Sequence, residues 1–345
     1  MRELDTDVLV AGGGPVGLAA AIEARRAGLD VVVLEPRPAP VDKACGEGLM
    51  PGTLEAARRL GVDPPGWALH GISYRQGARA VDHRFASGPG RGVRRTALHA
   101  ELHAAAVAAG ATVLRGRAAE VRQDDGSVTA GGVRARWLLG CDGLHSRVRR
   151  EAGLEARAVR GAGGLRRRFG LRRHYRVAPW SDLVEVHWGP RVEAYVTPVA
   201  ADAVGVALLG PAGTRFDAEL ATLPELADRL DGAEPSGAVR GAGPLRVRSA
   251  ARAAGRVMLV GDAAGYVDAL TGEGLRVGFA QARAVVAHLG DPAGYESAWR
   301  RVTRDYRRLT GALVAAATSP ARRAVVPVAA RAPWWFGGVV ERLAR

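Results

Sequence analysis

The chain has 345 residues, 48% of them hydrophobic and 24% charged, which is enough for one large domain or two moderate ones with a real core. Two cysteines exclude a disulfide framework and a cysteine-based zinc module, and the apolar runs, such as Val8–Val10, Val31–Leu34 and Val257–Val260, have strand length, well short of the roughly 20 residues of a membrane span. The net charge of +14 comes from arginine, because Lys43 is the only lysine; arginines spread among abundant Ala and Gly, without interleaved aromatics, read as codon bias and predict attraction of anionic cofactors or membrane surfaces, not nucleic-acid binding.

In chain order, Thr6–Val10 alternates into a short strand that runs into Ala11-Gly12-Gly13-Gly14-Pro15-Val16-Gly17, with no signal-peptide cleavage site. The expected location is therefore cytoplasmic. Gly12, Gly14 and Gly17 fit G-x-G-x-x-G, in which the glycines permit a tight turn, close approach of a pyrophosphate, and tight helix–strand packing. Pro15 is counted with the glycines as a cofactor-binding residue, the following helix is read over Leu18–Ala27, and Asp30–Leu34 reads as a second parallel strand ending in Glu35. An acid there accepts hydrogen bonds from a ribose. Strand, triplet, helix, strand and acid in order predict a dinucleotide site. Gly161–Gly164 and Gly241–Pro244 have no helix after them and read as turns, so a second dinucleotide domain is not expected.

A helix over Thr96–Ala109 follows Arg95 and carries His99 and His103 one turn apart, expected as a semi-exposed pair with no metal, since no acid or thiol accompanies them. Trp137–Leu139 then leads into Gly140-Cys141-Asp142-Gly143. From Phe169 the pattern changes to alternating strands, Phe169–Val177, Leu183–Trp188, Val192–Val199 and Ala203–Leu209. Val257–Val260 leads into Gly261-Asp262-Ala263-Ala264-Gly265, and Thr271-Gly272-Glu273-Gly274-Leu275 opens a long helix.

With these three ordered motifs the chain resembles FAD-dependent oxidoreductases of the para-hydroxybenzoate hydroxylase-like fold, a group of aromatic monooxygenases, geranylgeranyl reductases and flavin-dependent halogenases. The resemblance covers most of residues 1–300. It implies an α/β fold: a Rossmann-type FAD-binding domain from roughly 1–72, 93–157 and 250–295, a mostly antiparallel substrate sheet from 73–92 and 158–249, and a helical tail over 296–345. It also implies FAD as cofactor, NADPH or NADH as transient electron donor, and a small-molecule substrate. Asp262 is then expected at a ribityl hydroxyl, Asp142 and Gly143 near the pyrophosphate, and Arg95 at the FAD phosphates or ribityl chain. Gly272, Glu273 and Gly274 are expected at the N1/C2 edge of the reduced ring, where helix N–H groups stabilise negative charge.

Lys43-Ala44-Cys45-Gly46-Glu47-Gly48-Leu49 resembles the K-x-C-G-x-G-L stretch of the geranylgeranyl reductases, which places Cys45 near the flavin. Against that branch, Ala194-Tyr195-Val196-Thr197-Pro198 lacks the family's tryptophan, and Ala269 replaces its usual proline. The leading expectation is a monooxygenase that hydroxylates a phenolic or polyketide-type compound using NAD(P)H and O2; the alternative is a C=C reductase. Cys45, Lys43, Tyr195 and His174 are the candidate catalytic residues, each weighed against plain packing, and no general base can be named. The tail mixes Trp334, Trp335 and Phe336 with arginines, and is expected to pack on its own domain or to touch an anionic membrane.

Overall fold

The computed structural model describes residues 4–156 and 167–345. The Gly161–Gly164 turn expected from the sequence lies outside the described residues. Strand Leu4–Ala11 is followed by helix α1, Pro15–Arg26, and strand Val31–Glu35. The helix begins three residues before the apolar pattern suggested, because Pro15, with its fixed φ and no N–H to leave unpaired, suits a first helical position. Helix α2, Pro51–Arg59, leads through short strands to Gly71–Gln76, and helix α3, Arg95–Ala108, leads to Thr112–Arg115 and to Val133–Gly140. Helix α4 covers Arg147–Glu151.

Among the described residues, eight strands form the first sheet. Its parallel centre places Val257–Leu259, Val133–Gly140, Leu4–Ala11, Val31–Glu35 and Thr112–Arg115 side by side in that order. Val31–Glu35 is buried along its whole length, as a sheet covered on both faces requires. The C-terminal strand ends, carrying Gly12, Cys141 and Gly261, therefore meet at one edge, where open α/β sheets bind their ligands.

The second sheet has seven strands in the order Glu234–Ala242, Arg168–Arg176, Ala203–Pro211, Glu193–Ala200, Leu183–Trp188, Gly71–Gln76 and Arg79–Arg84. All neighbours are antiparallel except Leu183–Trp188 with Gly71–Gln76. Gly241 and Ala242, read from the sequence as part of a turn, pair in register with Leu171 and Gly170. This edge strand is mostly exposed and has no apolar alternation, so nothing in its composition marked it.

One face of the second sheet packs on the short helices α5, Phe216–Leu220, and α6, Pro224–Arg229, through Val196, Val206, Leu208, Phe216 and Leu226. The other face meets the C-terminal helices. After α7, Gly274–Val286, the tail forms α8, Pro292–Ala317, as one unbroken helix. It ends before Pro320 and is followed by α9, Val325–Arg331, and α10, Pro333–Ala344. Phe336 of α10 packs on Tyr74 with ring centres 4.9 Å apart.

A buried ionic cluster fastens these layers. Glu193 accepts hydrogen bonds from Arg168, at 2.5 Å, and from Arg322, while Arg168 Nε lies 3.1 Å from Asp268. Burial pushes the Asp268 carboxyl up from its usual range, against the pull of Arg168. The cluster ties the second sheet to the tail and to the segment that enters α7.

Candidate active site

The loop between the first strand and α1 is shaped by close contacts. Gly12 has φ +102°, and a Cβ there would meet the Cys141 carbonyl at 2.7 Å. A Cβ on Gly17 would lie 1.9 Å from the Gly12 carbonyl, so only glycine lets the helix close on the turn. Gly14, by contrast, faces open space, and it caps α1 with no side-chain hydrogen bond. The first-turn N–H groups of α1 are left for a ligand.

Two side chains brace this loop. Glu35 accepts from the Gly13 N–H at 3.0 Å and from Arg37 Nε at 2.7 Å. Burial pushes its carboxyl up, but the Arg37 and Gly13 donors outweigh burial and hold it below the ordinary range. His99 of α3 binds the Gly13 carbonyl through Nε2 at 2.8 Å, so that nitrogen carries the proton. His99 is buried, not semi-exposed as expected from the sequence; its neighbour His103 stacks on it at 6.2 Å. Burial lowers the His99 pKa, which keeps the ring neutral. Among the described residues no group of three His, Cys, Asp or Glu side chains is arranged to hold a metal.

The other two motifs meet this loop. Asp142 Oδ2 accepts from the N–H groups of Arg147, at 2.7 Å, and Val148, at 3.1 Å, at the start of α4. Gly143 follows with φ +80°. Gly261 is fixed by its N–H to Gln281 Oε1 of α7, at 2.8 Å, and that oxygen also accepts from Trp299 of α8. The next residue, Asp262, points to Lys43, whose Nζ is 3.5 Å from Oδ2. Glu273 precedes α7 without a side-chain bond to the helix backbone; it is buried and accepts from the Arg276 side chain, and burial raises its pKa. Gly272, with φ +69°, faces open space before that helix.

Arg95 opens α3, buried, and its backbone N–H donates to Glu47 Oε1 at 2.8 Å. Among the described residues, Arg95 Nε and Asp142 Oδ1 are buried without a partner. A buried donor and a buried acceptor of this kind match the phosphate and hydroxyl groups of a flavin dinucleotide. The residues present fit FAD.

The loop that bears Cys45 is clamped to the second sheet. Glu47, held at φ +60°, binds His174 Nε2 through Oε2 at 2.5 Å. Arg172 donates to His174 Nδ1 at 3.1 Å and also grips Asp42, so His174 is the neutral tautomer with its proton on Nε2. Arg240 lies 3.3 Å from the second oxygen of Asp42, and Thr197 donates to the Gly46 carbonyl at 2.8 Å. Cys45 is a half-buried free thiol whose sulfur accepts the Glu47 N–H at 3.4 Å. Tyr266 packs against Gly274, and burial drives its phenol well above the usual pKa, with smaller pushes from Tyr306, Asp262, Asp268 and Cys45.

The structure thus brings Lys43, Cys45 and His174 into one region with the glycine motifs. Tyr195 shares their sheet face, but its hydroxyl donates to the Leu270 carbonyl at 2.7 Å, and burial raises its pKa far above normal. It ties the sheet to the entry of α7. Glu47, Arg172, Asp42, His99 and Tyr266 were missed by sequence reasoning. Only Glu47, an acid between two glycines, carried a local signal. The open clefts near Arg75, of about 450 and 750 Å³, lie at the opposite end of the second sheet and hold none of these residues.

A glycine turn under an uncapped helix, an acid at the end of the second strand, and strand-end aspartates converging on both define a flavin-dinucleotide protein. Residues 5–167 match the FAD binding domain family model. Menaquinone reductase of Mycobacterium tuberculosis is 29% identical over 329 residues, spanning 87% of this chain and 80% of that protein. Rifampicin monooxygenase of Streptomyces venezuelae is 35% identical over 167 residues, 43% of this chain and 34% of that one. The flavin-dependent halogenase CmlS superposes with a TM-score of 0.77 at 20% identity, covering 99% of this chain and 72% of its own, a likeness of fold. Together these likenesses support an FAD-dependent oxidoreductase of the para-hydroxybenzoate hydroxylase-like fold group.

Proposed function

We propose that this chain reduces a carbon–carbon double bond of a polyprenyl-type substrate, with NADPH or NADH as electron donor. The observation that carries the reading is the clamped loop: a free Cys45 thiol lies on a loop held by bonds to three strands of the second sheet. Bound FAD supplies the hydride. The second carbon of the alkene would then need a proton, and this reading assigns it to Cys45 Sγ, whose backbone partner leaves its own S–H free to donate. The Tyr266 hydroxyl, kept protonated by burial and packed against Gly274 at the head of α7, is a second candidate donor. Gly12, Gly14, Pro15, Gly17, Glu35 and Arg95 would hold the adenosine and phosphates, Asp142, Gly143, Gly261 and Asp262 the pyrophosphate and ribityl chain, and Gly272–Gly274 the ring edge. Support also comes from the menaquinone reductase relative, which matches most of the chain.

Cys45→Ser tests the proton's source. It is expected to leave FAD content unchanged and lower alkene turnover by roughly a hundredfold. Unchanged turnover would return Cys45 to the packing.

The second reading is hydroxylation of a phenolic or polyketide-type compound with NAD(P)H and O2, the leading expectation from the sequence. The stretch Ala194–Pro198 favours it, since the tryptophan typical of the reductases is missing, and so does the partial match to rifampicin monooxygenase. Incorporation of oxygen from O2 into product, against gain of two hydrogens, separates the readings.

No helix among the described residues is long and apolar enough to cross a membrane. We propose a cytoplasmic enzyme that touches the membrane peripherally through α10. Trp334 is 80% exposed and Trp335 47%, beside the exposed Arg331 and Arg342, while the neighbouring Glu341 is occupied by His83 and the Ala86 N–H. Trp334→Ser with Trp335→Ser is expected to lower co-sedimentation with anionic phospholipid vesicles about tenfold or more; equal binding of variant and wild type contradicts the contact.

A further inference from the structure

Lys43 stands where the cofactor motifs converge. Its Nζ is 3.5 Å from Asp262 Oδ2, and a Cβ on Gly143 would lie 3.8 Å from the same nitrogen. Gly143 follows Cys141 and Asp142, whose backbone touches Gly12 of the phosphate loop. The stem of Lys43 is fixed, because Arg172 and Arg240 grip the adjacent Asp42 and Arg172 also reaches the Lys43 carbonyl at 3.4 Å. Its head remains free to turn: the Lys43 side chain is 37% exposed and that of Asp262 28%. A pair so open to solvent adds little to folding, so the ammonium is available for other work.

We propose that Lys43 is a cofactor-responsive latch. Without FAD, Lys43 neutralises Asp262. When FAD binds, Asp262 turns to a ribityl hydroxyl and the released ammonium takes a phosphate oxygen of the cofactor. The site thereby distinguishes a phosphate-bearing flavin from riboflavin. A compact ammonium with rotating donors suits such an exchange, whereas a guanidinium would hold Asp262 bidentately and keep it from the ribityl chain. That accounts for a lysine where every other basic residue is arginine. The latch rests on the FAD assignment of the site and is independent of whether the substrate is an alkene or a phenol.

The test is equilibrium titration of the flavin-free full chain with FAD and with riboflavin, in wild type, K43Q and K43R. K43Q is expected to weaken FAD binding about tenfold and to flatten its salt dependence, while riboflavin, which offers no phosphate to the ammonium and no longer has to displace it from Asp262, binds no more weakly than to wild type. K43R is expected to weaken FAD binding despite keeping the charge. Because the chain has one lysine, amine-reactive labelling located by peptide mass spectrometry reads Lys43 directly; FAD should protect it and riboflavin should not. Equal losses for both flavins in K43Q, wild-type affinity in K43R, or labelling indifferent to FAD would each overturn the latch. Wild-type chain that binds neither flavin would instead overturn the cofactor assignment, and the latch with it.

Discussion

Glu47→Ala is expected to lower the unfolding free energy by about 3–5 kcal/mol, read as a shift in the urea midpoint, and to lower FAD content in parallel. Glu47 is 3% exposed and takes two buried donors at once, the Arg95 N–H at the head of α3 and His174 Nε2. Alanine leaves both donors unpaired away from water and leaves Asp42 as the one carboxylate facing Arg172 among the described residues. The effect is larger than that of an ordinary surface carboxylate because desolvation has already occurred and cannot be recovered. Two further variants separate the causes. Glu47→Gly relaxes the left-handed backbone but loses the same hydrogen bonds, so it should stay destabilised. Glu47→Gln keeps the shape and one acceptor, and should lie between wild type and alanine. A urea midpoint for Glu47→Ala equal to that of wild type would show that the clamp is not needed to hold the loop.

Asp262→Ala is expected to weaken FAD binding by roughly 10- to 100-fold while leaving the far-UV circular dichroism unchanged, as loss of a charge-assisted hydrogen bond requires. The fold should survive because Asp262 is partly exposed and, among the described residues, its one ionic contact is to Lys43 at 3.5 Å. Its neighbour Gly261 is held independently by Gln281, so the turn itself stays in place. Dialysis followed by flavin absorbance checks the result. A variant that stays stoichiometrically yellow would remove Asp262 from the cofactor set.

The first sheet was legible because its signals are local. Val31–Leu34 has the continuous apolar run of a strand buried on both faces, Gly17 is required by the Gly12 carbonyl a few residues away, and Gly12 by its own φ of +102°, while Gly14 faces open space. The clamp on Cys45 was not legible. Glu47 and His174 are 127 residues apart and Arg172 and Asp42 are 130 apart, so each is an ordinary polar residue until the second sheet folds over the loop. His99 shows the same limit: the i, i+4 spacing placed it beside His103, but only the Gly13 carbonyl on another element decided that it is buried. His174 and Tyr195 were singled out by strand alternation, which reports a shared face and is silent on their partners. Those partners, Glu47 and the Leu270 carbonyl, give the two residues different work.

The proposed reaction is tested most directly by rapid mixing. The flavin is reduced anaerobically with NADPH and then mixed with a polyprenyl alkene or with oxygenated buffer, following flavin absorbance and product mass. Alkene reduction requires that the alkene alone reoxidise the flavin and gain two hydrogens, and that oxygen reoxidise it in a single step. A flavin indifferent to every alkene, with a transient absorbance in oxygen distinct from both the reduced and oxidised forms, would contradict it and identify an oxygen-activating enzyme.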